Sequence, residues 1–322
     1  MKPSTHSGRS NRIIPVKGQP TCAFTLTELL VVVGTLAVLA LLLVPALAST
    51  KIDTWRIQCQ NNLKQLQIGF QLFAQDHSDM YPPAGWTSGS SSNPSYQITW
   101  DSFINKYIGG NLSDLEIVDG EGAFFAGVDP APAILACPAD QFPKVVWVGG
   151  NQPWFSLRSY AMNAVGPNVL TGWQVSDQNR TYPLPDLTKP GMHGVGIYWT
   201  DNGSTPDWDA RGYKTSVVCD PAGTILLCEN THGQQIAGNI WTCICFGPQG
   251  TGAPYQIDPT ATPQDPTSSV NENEGGLLYA AHWNRFNYLF HDGHVAALST
   301  QQTIGSGTLT APRGMWTVVA GD

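Results

Sequence analysis

No C-x-x-C pair occurs among the seven cysteines, the closest spacing being Cys243-Ile244-Cys245, so the tetrathiolate arrangement of a structural zinc ribbon is not encoded. Charged residues are scarce at 12%, whereas Gly (33), Pro (24) and Trp (11) are plentiful. That balance suits a loop-rich extracytoplasmic protein better than a helical cytosolic one. Nor is there a P-loop, a glycine-rich dinucleotide fingerprint or a nucleophile elbow at workable spacing, so a secreted enzyme is disfavoured and nothing asks for a cofactor.

Charge is missing most completely near the N-terminus. The first 23 residues carry Lys2, Arg9, Arg12 and Lys17 and no acid, and removing them takes the formal charge from −8 to −12. An acidic remainder offers no electrostatic footprint for nucleic acid. From Leu29 to Ala48 run twenty residues without a charge, about the length a hydrocarbon core requires of a helix. Basic residues before this run place residues 1–23 on the cytoplasmic side and everything after Thr50 outside.

Three readings compete for the apolar run: a cleaved secretory signal, a permanent anchor and a prepilin signal. Ala46-Leu47-Ala48 offers an A-x-A-like cleavage site. Against a secretory signal, the run exceeds the usual apolar core of about 7–15 residues. Glu28, at its very start, also has no role in such a signal. A carboxylate at the edge of a spanning helix is a functional candidate, with the bland alternative that it snorkels into the head groups.

Past Ser49 the pattern turns amphipathic. Ile52, Trp55, Cys59, Leu63, Leu66, Phe70, Phe73 and His77 recur by threes and fours, while Lys51, Asp53, Gln60, Asn61, Lys64 and Gln71 occupy the other face. The spacing predicts a helix from Phe24 to near Asp79, before Pro82-Pro83, about 84 Å long. Residues 84–99, rich in Ser, Gly, Pro and Asn, read as a surface loop, and 182–210 as irregular. Gly223 to Glu229 reads as a buried strand, and Asp292-Gly293 between two apolar runs as a hairpin turn in which glycine supplies the positive φ.

Six cysteines follow Cys22: Cys59, Cys137, Cys219, Cys228, Cys243 and Cys245. An even number is compatible with disulfides in an oxidising compartment, and buried free thiols remain an equal alternative. His282, His291, Asp292 and His294 are residue types that suit a transition metal, but groups around a tight turn point apart, so His282 is read as hydrogen-bonded inside the fold. Asp201, Asp207 and Asp209 do not follow the EF-hand order. No metal site is assigned.

The segment Cys22-Ala23-Phe24-Thr25-Leu26-Thr27-Glu28-Leu29-Leu30 resembles the type IV prepilin and type II secretion pseudopilin family, with Ala23 where that family usually has Gly. The resemblance implies cutting between Ala23 and Phe24 by a prepilin peptidase, methylation of the new amine, and pairing of Glu28 with the Phe24 amine of a neighbouring subunit. Further blocks resemble a large prepilin-like group common in Planctomycetes, Verrucomicrobia and related bacteria: Cys59-Gln-Asn-Asn-Leu-Lys-Gln-Leu, Cys137-Pro-Ala-Asp140, Ser159-Tyr160-Ala-Met-Asn163, and His282 with Asp292-Gly293 as an H-x9-D-G signature. Cys59 and Cys137 both belong to these blocks, which suggests a bridge between helix and body.

The resemblance implies an α+β, pilin-like fold with a long N-terminal α-helix packed on an antiparallel β-sheet body with long loops. Its parts would be a leader (1–23), a membrane and assembly half-helix (24–50), an amphipathic half-helix (51–80) and an extracytoplasmic body (81–322). The implied function is a non-enzymatic filament subunit, anchored by a single pass in the inner membrane before assembly into a periplasmic or cell-surface filament. Its partners would be the prepilin peptidase, inner-membrane lipid and copies of itself or related pilins. A second reading makes the body a surface module that binds polysaccharide through exposed tryptophans, with Trp86, Trp100, Trp147, Trp154, Trp173, Trp208 and Trp241 as candidates.

Overall fold

The computed structural model describes residues 24–90, 93–118, 131–140, 156–164, 175–176, 194–201, 206–230, 236–245, 247, 282–308, 312–319 and 321. The leader, Ala23, Trp147, Trp154 and Trp173 therefore lie outside the described residues. The chain falls into two compact units, 1–49 and 50–322.

Helix α1 spans Leu26–Asp76 and is helical through Pro45. It starts with a reciprocal cap. The Thr25 hydroxyl accepts the Glu28 N–H at 3.2 Å, and the Glu28 carboxylate takes the Thr25 N–H at 2.8 Å and its hydroxyl at 2.7 Å. Thr25-Leu26-Thr27-Glu28 is thus a capping box, in which each side chain satisfies a donor the helix start leaves open. At the other end Asp79 N donates to Ala74 O at 2.8 Å across left-handed Ser78, which closes the helix three residues earlier than the spacing suggests.

In the second unit the helix buries Cys59, Leu63, Leu66, Phe70 and Phe73 in the core, as the three-and-four spacing requires. Each of the Leu and Phe side chains contributes about 1.5–3 kcal/mol on leaving water. Phe70 stacks on Trp100 at 5.6 Å, and Phe73 meets Phe103 edge-on at 6.1 Å.

Two sheets complete the α+β body. The first has strands β1 (Gly85–Ser90), β2 (Asn93–Thr99), β4 (Val175–Ser176) and β5 (Tyr198–Asp201) in the order β2-β1-β5-β4. The second has β3 (Tyr160–Asn163), β6 (Ile225–Glu229), β7 (Ile244–Cys245), β8 (Phe286–Phe290) and β9 (Val295–Leu298) in the order β7-β3-β6-β8-β9. The α+β expectation holds, with one change of detail: both sheets are mixed, because β1–β5, β4–β5 and β3–β7 pair in parallel.

Residues 84–99 are a correction. They form the β1–β2 hairpin, with β1 bonded on both edges and Trp86 and Ile98 fully buried. Only Trp86, Tyr96 and Ile98 are large apolar groups among the Ser, Gly, Pro and Asn, too few to reveal a strand pair that tertiary packing selects. Strand β6 is central and apolar up to Glu229 at its end, and all five of its residues are buried.

Candidate functional site

Strand β8 runs beside helix α1, and the hydrogen bonds between them step along both. Trp283 Nε1 donates to Asp53 at 3.3 Å, Gln60 Nε2 to Asn287 Oδ1 at 3.0 Å, and Gln67 Nε2 to the His291 carbonyl at 3.1 Å. Four strand residues from Asn287 to His291 cover about 13 Å and seven helical residues from Gln60 to Gln67 about 10.5 Å, so the two elements stay in step. This gives the H-x9-D-G spacing a physical meaning. Its histidine and its glycine mark two points where the segment meets the helix.

At the glycine end, Gly293 has φ +93°, and a Cβ there would come within 3.2 Å of Gln67 Cγ. Only glycine combines that backbone with that approach. Asp292 holds the turn locally, its carboxylate 2.6 Å from His294 Nδ1, and the pair is exposed. His291 turns inward instead, with Nδ1 2.8 Å from the Tyr81 hydroxyl. Burial holds its imidazole down at about 3, with Asp292 opposing the shift. His291 thus points away from its neighbours, whereas Asp292 and His294 meet, so the turn separates these groups only in part.

At the histidine end lies a buried constellation. Cys59, from α1, is disulfide-bonded to Cys137 with Cα atoms 5.0 Å apart, the bridge the resemblance suggested. His282 Nε2 stands 3.3 Å from Cys137 Sγ and 3.3 Å from Glu229 Oε1, and all four side chains are buried. Trp283 and Asn284, both left-handed at φ 59°, turn the chain sharply after His282 into β8. Glu229 ends β6 and is clamped by its neighbour strand: Asn287 N donates to Oε2 at 2.7 Å and Asn287 Nδ2 to Oε1 at 2.8 Å. The two sulfurs, the imidazole nitrogen and the carboxylate oxygen lie within 4.8 Å of one another.

The remaining blocks brace this centre. The Ser159 hydroxyl donates to Asp140 at 2.7 Å and accepts the Cys137 N–H at 3.0 Å, which joins C-P-x-D to S-Y-x-x-N. Asn163 Nδ2 donates to the Ile225 and Trp316 carbonyls at 3.0 and 3.2 Å. The Tyr160 hydroxyl reaches the Cys59 carbonyl at 3.4 Å. Next to it, Arg158 forms a fully buried ion pair with Asp101, whose other oxygen accepts the Gly238 N–H at 2.8 Å.

Sequence reasoning brought Cys59, Cys137 and His282 forward but missed Glu229. The signal was an acid at the end of an otherwise apolar strand, where a buried carboxylate needs a partner. Of the other cysteines, Cys228, Cys243 and Cys245 are buried free thiols and Cys219 is exposed, so both alternatives hold in part. The tryptophan reading is corrected at two positions, since Trp86 and Trp100 are fully buried, and Trp208 is half-buried against Phe103 at 5.7 Å. The side chain of Trp241 lies outside the described residues. Phe24 is exposed, and Glu28 is engaged in the cap.

A long helix clamped to an α+β body by a buried disulfide, with an H-x9-D-G hairpin seated along it, defines a prepilin-like class of architecture. The family described as Protein of unknown function (DUF1559) matches residues 55–304, well over half the chain, and the chain belongs to that family, the prepilin-like group bearing this signature. No curated protein and no solved structure matches. The match takes in the whole buried constellation and begins after the apolar part of α1.

Proposed function

We propose that the chain is a structural subunit of a type IV pilus-like or pseudopilus filament, cut by a prepilin peptidase between Ala23 and Phe24 and assembled through α1. The observation that carries this reading is the stretch Leu26–Leu43, with a mean hydropathy of 2.5 and no part of it buried in the fold. So large an apolar surface requires lipid or packed neighbouring helices. Both environments are available to a subunit that waits in the inner membrane and is then drawn into a filament. In the second unit the helix also exposes Ile57, Ile68 and Leu72, apolar groups on the face opposite the core stripe.

The capping box sharpens the role of Glu28. A carboxylate at this place both starts its own helix and offers a charge to the Phe24 amine of another subunit. Glu28→Gln keeps the capping geometry, since Gln also serves at that position, and removes only the charge. The variant inserts in the membrane normally and is incorporated into filaments at least tenfold less. Normal incorporation would refute the pairing.

The deciding measurement is the intact mass and N-terminal sequence of the protein from membrane and sheared surface fractions. A methylated Phe24 start is expected. A start at Ser49 would identify α1's apolar part as a secretory signal and end the filament reading.

A further inference from the structure

We propose that Cys59, Cys137, His282 and Glu229 form a zinc site in the reduced chain, for which the disulfide is the alternative, metal-free state. This goes beyond the filament reading and does not depend on it. Two sulfurs, one imidazole nitrogen and one carboxylate oxygen are the donor types zinc prefers, and all four converge within 4.8 Å.

Geometry supports four-coordination. Zinc bonds of about 2.0 Å to nitrogen and oxygen and about 2.3 Å to sulfur set tetrahedral ligand-to-ligand edges of about 3.3–3.8 Å. Two edges are already in place, Nε2 to Glu229 Oε1 and Nε2 to Cys137 Sγ, both at 3.3 Å. The sulfurs must part to about 3.8 Å, which side-chain rotation supplies with the Cα atoms 5.0 Å apart, and the remaining edges start within 4.8 Å.

The surroundings match what a ligand carboxylate requires. Glu229 is oriented by two donors from Asn287, and Asn287 is itself held by Gln60, so a supporting shell is built around the group. Charge argues the same way. The only ion-pair partner of the fully buried Glu229 among the described residues is His282, and a divalent ion would supply the positive charge that a buried carboxylate lacks.

The chemistry balances through thiol–disulfide exchange. A dithiol reductant gives two electrons and two protons to the Cys59–Cys137 bond, yielding two thiols and leaving as its own disulfide. Zinc then displaces the two thiol protons and binds two thiolates, neutral His282 Nε2 and the Glu229 carboxylate. A disulfide donor reverses the sequence and releases the ion. Because all four side chains are buried, the ion enters as the fold closes, so loading and folding are coupled.

The test uses the full-length chain in detergent micelles, refolded under a phosphine reductant with zinc or cobalt, beside the oxidised chain. One ion per reduced chain is expected, with a tetrahedral, thiolate-bound cobalt spectrum and a zinc absorption edge showing two sulfurs near 2.3 Å. The oxidised chain binds none. His282→Ala and Glu229→Ala each weaken binding at least tenfold, whereas His294→Ala and Cys243→Ser leave it unchanged. A reduced chain that stays folded without taking up an ion, equal uptake by the oxidised chain, or an absorption edge without sulfur overturns the site. If reduction unfolds the chain, recovery of the fold by zinc supports the proposal and failure to recover overturns it. The wild-type edge spectrum decides the matter even where a variant does not fold.

Discussion

At the scale of residues, a buried ion pair and a buried imidazole set the body's sensitivities. Asp101 balances Arg158 where neither is exposed, so Asp101→Asn leaves a guanidinium without its countercharge. Breaking such a pair from one side costs about 3–5 kcal/mol, although the intact pair adds little net stability over apolar residues. A drop of that size in denaturant-derived stability is expected, and a loss below about 1 kcal/mol would contradict the network. His291 sets a pH window. The folded state keeps its imidazole neutral down to about 3, while the unfolded chain takes the proton below the ordinary value of 6.5. Its contribution is therefore complete above pH 6.5 and is lost as pH falls toward 3, at about 1.4 kcal/mol per pH unit. Unfolding midpoints at pH 7, 6 and 5 should fall along that slope. His291→Asn, which keeps a polar group for the Tyr81 hydroxyl and does not titrate, should remove this share, and an unchanged slope would exclude His291 as its source.

At the scale of elements, the amphipathic half of α1 separates folding from surface. Phe70 is fully buried between Trp100 and Tyr81, and Phe70→Ala should cost about 3–5 kcal/mol. Ile68, two residues away and 54% exposed, should tolerate Ala within about 0.5 kcal/mol. Equal effects would refute the assigned face. This helix was legible because a stripe such as Leu63, Leu66, Phe70 and Phe73 follows from periodicity alone. Strand β6 and the β8–β9 hairpin were legible for similar reasons, an uninterrupted apolar run and a turn that demands Gly293. The β1–β2 hairpin was not, because its Ser- and Gly-rich residues are strands only when β5 pairs beside them. The buried constellation was half legible: Cys59, Cys137 and His282 stand in recognisable blocks, but Glu229 gains meaning only when β6 is placed against β8. The capping role of Glu28 was written in Thr25-x-x-Glu28 and lay hidden behind its other assignment.

At the scale of the whole molecule, the cysteines report on the integrity of the second unit. The Cys59–Cys137 bridge closes a sequence separation of 78, and on the chain-entropy account such a loop stabilises by about 4.5 kcal/mol. Burial pushes the Cys243 thiol up to about 12 and raises Cys228 as well, whereas Cys219 is exposed. The thiolate is the nucleophile, so at pH 8 only about one Cys243 in 10⁴ is reactive even before access is considered. Iodoacetamide on the native oxidised chain should therefore label Cys219 within minutes. Cys228 and Cys243 should be labelled only at the rate at which the body unfolds, a rate that rises once the bridge is reduced. Peptide mapping over time reads each site separately. Rapid labelling of Cys243 in the folded, oxidised protein would show that the core around β7 opens locally, and the bridge would then clamp α1 to Cys137 without controlling the rest of the unit.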